Sequence, residues 1–218
     1  MARLVSIQVG RPRWNVTADG QRWRSAFFKA PVSGPVALGF TNLDGDGQAD
    51  TSVHGGPDMA ALCYSFEHYP DWREELSLPE MGPGGFGENF TVSGQDEATV
   101  FIGDVYEVGE AVVQVSQPRG PCANISRRWE RPDLVRRVEE SGRHGWYLRV
   151  LQEGVVEAGL EVRLIERPHP EWTVQRAWQA YRRRKRDREP AAELARCEAL
   201  AADTRAELLA AVALVDGR

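Results

Sequence analysis

Cysteine is scarce in this chain of 218 residues: there are three, at Cys63, Cys122 and Cys197. An odd number at such wide spacing argues against a disulfide framework and for a reducing compartment. No CxxC pair and no zinc-type Cys/His cluster is present. Long hydrophobic runs are also missing, and none approaches the roughly 18 residues a membrane helix needs. The opening MARLVSIQVGRPRW has no apolar stretch after Arg3, so no secretory signal is expected and the expected location is cytoplasmic. Excess positive charge is lacking: 27 Lys and Arg face 32 Asp and Glu, for a net charge of -5. That balance does not suit a nucleic-acid binder. Three ligand signatures fail as well. No Gly-Lys-Ser/Thr follows a glycine-rich loop, no Rossmann glycine pattern appears, and the D-x-D-G at Asp44 lacks the closing Glu of a calcium loop.

What is present fits a soluble globular chain, with 42% hydrophobic and 27% charged residues. Residues 1–166 read as mainly β. LVSIQVG, GPVALGF, ATVFI, DVYEV, AVVQVS and EVRLI are short apolar or alternating runs separated by Gly, Pro and Asp. GDVYEVGEAVVQVS predicts a hairpin turning at Gly109-Glu110. So many short strands point to a barrel or sandwich, with ligands at a mouth lined by loops. A few peripheral helices are expected: one near FEHYPDWREEL, one after Pro121, and one over PDLVRRVEESG. The composition changes at RPHPEW, where Pro168 and Pro170 form a stiff linker. Residues 171–215 then read as a small all-α domain of three helices, TVQRAWQAYRRRK, PAAELARCEALA and DTRAELLAAVAL. Thr173 and Asp203 are candidate N-caps and Pro190 a candidate first helical residue. The run Arg182–Arg188 is either a solvated helix end or a docking patch for an acidic partner.

Four stretches could hold chemistry. In PRGPCANISRRW, Pro121 suits a helix start and places Cys122 in the first turn, where the helix's positive end and Arg119 favour a thiolate. A thiolate ligates a soft metal or attacks an electrophile, whereas a buried thiol is a small hydrophobe and nothing more. GDGQADTSVHGGPDMA brings Asp44, Asp46 and Asp50 near His54, Gly55, Gly56 and Asp58. It is either a turn-rich loop or a backbone cradle for an anion. GGFGENF combines three glycines with Glu88 and Asn89, which supply acceptors and donors for a polar ring. Lys29 in FFKAPVSG reads by itself as a snorkelling surface lysine, and Trp146-Tyr147 as core aromatics. Cys63 and Cys197 sit in apolar or helical surroundings and read as inert.

KAPVSGPVALG, GDGQADTSVHGGPDMA, FEHYPDW, GFGENFTVSG, IGDVYEVGEAVVQVSQPRGPC and SGRHGWYLRV occur in this order. Together they resemble the MOSC-domain family, relatives of the molybdenum cofactor sulfurase C-terminal domain, and within it the bacterial YiiM-like subfamily with a three-helix C-terminal domain. The resemblance implies a β-barrel that binds a molybdenum–pterin cofactor. It implies that Cys122, in the family's Q-P-R-x-P-C motif, is the molybdenum ligand and catalytic residue. Its H-G-G-x-D motif maps to His54, Gly55, Gly56 and Asp58, and its G-E-N motif to Gly87, Glu88 and Asn89. Lys29 and Arg119 match positions suited to the cofactor's phosphate. The implied activity is reduction of N-hydroxylated compounds such as hydroxylaminopurines, a detoxification of base analogues. Because the sequence shows no redox chain of its own, electrons are expected from a separate flavin or iron–sulfur reductase. A homodimer is one assembly the resemblance allows; no nucleic acid or membrane is implied as a partner. Two departures reshape the pocket: Met59–Cys63 replace the usual aromatic and aliphatic residues, and Ala123-Asn124-Ile125 lack the Trp often found after the cysteine. No pyridoxal-phosphate domain is present, so release of sulfur from cysteine is not expected. Two rival readings are a non-catalytic cofactor carrier or sulfur-transfer module, and a cofactor-free hydrolase using Cys122, His54 and Glu88.

Overall fold

The computed structural model describes residues 1–52 and 54–213. The last two positions of the expected C-terminal domain, 214 and 215, lie outside the described residues. The chain begins with β1 (Arg3–Val9), a hairpin of β2 (Arg13–Val16) and β3 (Arg22–Ser25), and short strands β4 (Ala30–Pro31) and β5 (Val36–Leu38). A 3-10 turn at Pro57–Met59 precedes β6 (Ala61–Ser65), which feeds α1 (His68–Leu76). Next come β7 (Phe90–Ser93), β8 (Val105–Val108) and β9 (Ala111–Pro118), then α2 (Ala123–Trp129) and α3 (Leu134–Ser141). The β region finishes with β10 (Trp146–Gln152), β11 (Gly154–Val156) and β12 (Arg163–Glu166). Helices α4 (Val174–Arg183), α5 (Arg188–Leu194) and α6 (Ala202–Ala213) follow.

Eight strands form one curled sheet in the order β12-β8-β9-β10-β6-β7-β1-β4. The seam is drawn together at the start of β1. Leu4 N–H donates to the Leu160 carbonyl at 2.9 Å, Val162 N–H donates to that of Ala2 at 3.0 Å, and Arg3 bridges Glu161. These contacts satisfy backbone groups that an open edge would leave unpaired. Alternation along β9 is that of a strand with one face in the core. β6 is buried along its whole length because β10 and β7 flank it and helices cover its outer side, so its sequence is a continuous apolar run. β5 leaves the main sheet and pairs with β11. ATVFI, read above as a strand, is irregular. Its backbone bonds to the linker before α4 instead, with Ile102 N–H on the Trp172 carbonyl and Val174 N–H on that of Val100, both 2.8 Å.

Two hydrophobic cores result. The larger fills the barrel and extends beneath α4, α5 and α6. The smaller is aromatic: Trp23, Phe27, Tyr64, Tyr69, Trp72 and Phe86 pack with Ile125, Leu134 and Val138 of α2 and α3. The linker is pinned, since Arg167 pairs with buried Asp104 at 2.8 Å and Trp172 is buried. Thr173 caps α4, its hydroxyl accepting from Arg176 N–H at 3.0 Å. The other two cap assignments shift: Pro190 is the third residue of α5, and Asp203 lies inside the first turn of α6. Because α5 ends at Leu194, Cys197 sits in the turn beyond it. Within the basic run, Arg182 pairs with Glu139 of α3 at 3.1 Å and so ties α4 to the barrel's helices.

Candidate functional site

β9 ends at Pro118 and hands the chain to Arg119, Gly120, Pro121 and Cys122 at the barrel mouth. Arg119 N–H bonds to the Gly145 carbonyl at 3.0 Å, which fixes this segment to the entry of β10. Cys122 is the N-cap of α2, not a first-turn residue as expected. Its backbone is extended (φ -120°, ψ 164°) and its carbonyl accepts from Ile125 N–H at 3.1 Å. Pro121 precedes the N-cap, and the helix proper begins at Ala123. The Cys122 side chain is half-buried and faces a cleft of about 280 Å³, near the lower end of small-molecule sites. Cys63 and Cys197 are buried, and burial pushes both thiols up, away from ionisation.

The cleft's floor is organised by two buried carboxylates. Glu88 is fully buried and faces away from the cleft. It accepts from Gly84 N–H at 2.6 Å, Phe86 N–H at 3.1 Å and the Thr91 hydroxyl at 2.9 Å, and also from the Tyr69 hydroxyl. It therefore shapes the glycine-rich loop. Within that loop Gly87 has φ +76°, and a Cβ there would come within 2.7 Å of the Phe27 ring. Both conditions require glycine. Asp46 is the second carboxylate. It pairs with the Lys29 ammonium and accepts from Gly10 N–H at 2.7 Å and Asn89 Nδ2 at 2.8 Å. Lys29 is thus a buried wall residue rather than a snorkelling one, and its burial favours the neutral amine against the pull of Asp46.

Arg119 is 2% exposed. Its Nη2 donates to the Phe86 carbonyl at 2.9 Å, and its Nη1 has no partner among the described residues. A buried guanidinium donor without an acceptor is costly. On a cleft wall beside a soft thiol, it fits an anionic ligand that also offers a metal. Burial, and then the Arg119 charge, hold the His54 imidazole below its ordinary value, with Asp50 opposing. His54 is therefore a neutral donor–acceptor at neutral pH. Burial keeps the Tyr147 phenol protonated. Gly55 and Gly56 both have positive φ, +86° and +84°. Such a bend lacks the alternating backbone of an anion nest.

Seven of the ten sequence-derived site residues line this cleft: Cys122, Lys29, His54, Gly55, Gly87, Asn89 and Arg119. Gly56, Asp58 and Glu88 do not. Asp58 turns towards the C-terminal helices. Its carboxylate pairs with Arg149 at 2.6 Å and caps Ala202 N–H at 3.0 Å. Reading the sequence by motif missed Asp46, Arg24, Arg127 and Tyr147 as wall residues. Asp46 was visible only as one of several turn-forming aspartates.

A second cavity, of about 370 Å³, lies between the barrel mouth and α4 and α6. It shares His54, Gly55, Met59, Gly120 and Tyr147 with the first, so the two are adjacent. No helix among the described residues is long and apolar enough to cross a membrane.

A curled β-barrel sheet with a half-buried thiol and a buried arginine at its mouth, followed by three helices, defines the class of protein. A model described as MOSC domain matches residues 50–163, and one described as YiiM-like, 3-alpha helix domain matches residues 172–210. The chain belongs to the MOSC-domain family, in its YiiM-like branch, a family associated with molybdenum-cofactor binding. It is 43% identical over 164 residues to YflK of Bacillus subtilis (strain 168), covering 75% of this chain and 73% of that protein. It is 38% identical over 174 residues to a protein named reductase from Gibberella moniliformis (strain M3125 / FGSC 7600), covering 78% of this chain but 31% of that protein. The crystal structure of YiiM from Geobacillus stearothermophilus superposes with a TM-score of 0.83 at 33% identity, covering 98% of this chain and 100% of that one.

Proposed function

We propose that the first cavity holds a molybdenum–pterin cofactor and that the chain reduces N-hydroxylated compounds such as hydroxylaminopurines, drawing electrons from a separate flavin or iron–sulfur protein. The carrying observation is Arg119 Nη1, buried without a partner on the same wall as the half-buried thiol of Cys122. Membership of the MOSC family supports the cofactor, and the reductase-named relative supports the oxidoreductase class.

Cys122 would hold the metal through sulfur, a soft ligand suited to such an ion. Arg119 would bind the cofactor's phosphate with a charge-assisted hydrogen bond, and Asn89, Lys29 and the Gly87 backbone would meet the pterin. Once bound, the group would supply the two-electron redox chemistry. The chain's own residues bind, orient and exclude water. Phe27, Phe86 and Met59 give the cleft its apolar share, and neutral His54 and protonated Tyr147 offer hydrogen bonds without competing for the anion.

The test is metal content. The protein is produced in a host that makes the cofactor, and molybdenum is measured by mass spectrometry. The wild type is expected to carry near-stoichiometric metal, and Cys122→Ser about tenfold less or lower still. Equal background metal in both would sink the reading.

A further inference from the structure

We infer that the outer face of the β2–β3 hairpin is a docking surface for an acidic flavin-carrying protein. The flavin of the partner rests on the proposed reductase function; the docking of an acidic protein does not.

The hairpin has two unlike faces. Its register sets Trp14 opposite Arg24 and Val16 opposite Arg22, so these four side chains share one face. Arg13, Asn15, Trp23 and Ser25 share the other. Trp23 and Ser25 are buried, Trp23 in the aromatic core, which turns the first face to solvent. There Trp14 is 62% exposed and Val16 65%, and the Arg22 guanidinium lies over the Trp14 ring at 5.1 Å. The two strands form a sheet of their own, yet the hairpin is held in place. Ala18 N–H at its turn donates to Glu130 at 3.1 Å, and Arg127 of α2 lies over the Trp23 ring at 5.4 Å. A face fixed beforehand loses less entropy on binding.

Charge names the partner. Arg11, Arg13, Arg22, Arg24 and Arg127 are exposed, and none forms an ion pair among the described residues. Two carboxylates lie at the hairpin's turn: Asp19 accepts from the Thr17 hydroxyl, and Glu130 from Ala18 N–H. Elsewhere Arg136, Arg137, Arg143 and Arg163 each pair with a carboxylate. The basic run at 182–188 is partly neutralised, Arg182 by Glu139 and Arg184 by Glu207, and it has no apolar side chain. The hairpin face therefore combines Trp, an aliphatic side chain and free arginines, the composition of a protein-binding hot spot that meets an acidic rim. The net charge of -5 on the whole chain disfavours a long polyanion there.

Position names the flavin. Arg24 belongs both to this face and to the wall of the first cavity, so a partner docked here stands at the rim of the cleft that holds Cys122. Reduction of one N–OH group takes up two electrons and two protons and yields the amine and one water. A reduced flavin supplies both electrons and both protons and is left oxidised, whereas a single iron–sulfur cluster supplies one electron.

The experiment has two arms, with flavodoxin as the acidic flavin protein. In the first, cofactor-free chain is titrated with oxidised flavodoxin by calorimetry. The double variant Trp14→Ala, Arg22→Glu changes two exposed side chains that line no cavity, and is expected to weaken binding at least about tenfold. Arg186→Glu, in the other basic run, is expected to change it less than about twofold. No binding by the wild type, or binding that the double variant keeps, overturns the inference. So does tighter binding of short single-stranded DNA that the double variant abolishes, which assigns the face to nucleic acid, or a dimer that it dissolves, which assigns the face to a second copy. In the second arm, holoenzyme is assayed on hydroxylaminopurine with reduced flavodoxin or with reduced methyl viologen. The double variant is expected to lose at least about tenfold with flavodoxin and less than about twofold with the viologen. Equal losses with both donors overturn the inference. A wild type that turns over with neither donor sinks the reductase reading, while the calorimetry still decides the docking.

Discussion

The two cavities share His54, Gly55, Met59, Gly120 and Tyr147, yet their remaining walls are opposite in sign. The first is built by the barrel's loops and carries an arginine whose donor is left over. The second is closed by α4 and α6 and carries carboxylates. The contrast follows from which elements supply each wall. Tight glycine turns in the barrel loops bring backbone and buried side chains close, so a single arginine can be buried against the Phe86 carbonyl alone. The helices present longer side chains at their ends, and those find partners or water. One mouth therefore carries a mostly basic wall beside a thiol and, next to it, a wall of aromatics and carboxylates.

The largest expected effect comes from breaking the scaffold behind the first wall only. Glu88→Gln keeps an oxygen for the three donors on Oε1 but turns an amide N–H against the Phe86 N–H on Oε2, leaving that buried donor unpaired. It should cost about 3 kcal/mol of stability by chemical denaturation. The loss should fall on the aromatic core and the glycine-rich loop, with hydrogen exchange in α4–α6 changing little. Asp58→Asn strikes the second wall. It breaks a partly exposed pair with Arg149 and weakens the bond to Ala202 N–H, and should cost about 2 kcal/mol while raising exchange in α6. Arg119 still reaches Phe86 in that variant, so cofactor content should hold.

A smaller effect separates charge from scaffold. Arg119→Met removes the unpartnered cation and keeps an apolar stem. Stability should move by less than about 1 kcal/mol, because a buried orphan charge leaves with it. Retained molybdenum should fall about tenfold. The smallest effect is a titration. Arg119 disfavours the His54 imidazolium, so the same variant should raise the His54 pKa towards its ordinary value. NMR titration of the ring protons reads this directly. A pKa that stays or falls would mean that burial alone holds the imidazole neutral.

Much of this architecture was legible as pattern. The β8–β9 hairpin, α1 and α3 follow from turn residues and periodicity, because each is stabilised by neighbours close in sequence. β6 and β7 were not legible. Ser65 and Thr91 are buried there between strands distant in sequence, so no alternation marks them. ATVFI alternates like a strand, but its partner is the linker into α4, which composition cannot show. The site divides the same way. Arg119 and Cys122 were legible because the residues that define them are contiguous. Asp58 and Glu88 were placed in the cofactor site because a carboxylate in sequence does not reveal its partners. Those partners, Arg149 in β10 and the amides of Gly84 and Phe86, decide which way each carboxylate turns. Asp46 sits between two glycines and looked like turn chemistry, yet it joins Lys29, Gly10 and Asn89.

Molybdenum is expected at Cys122 in the first cavity, and not in the second. Crystals of cofactor-loaded protein, measured at the molybdenum absorption edge, test it most directly. An anomalous peak is expected in the first cavity at bonding distance from Cys122 Sγ, with the phosphate on Arg119. A peak in the second cavity, a peak beside Cys63 or Cys197, or no peak in crystals of measured stoichiometric metal content would contradict it.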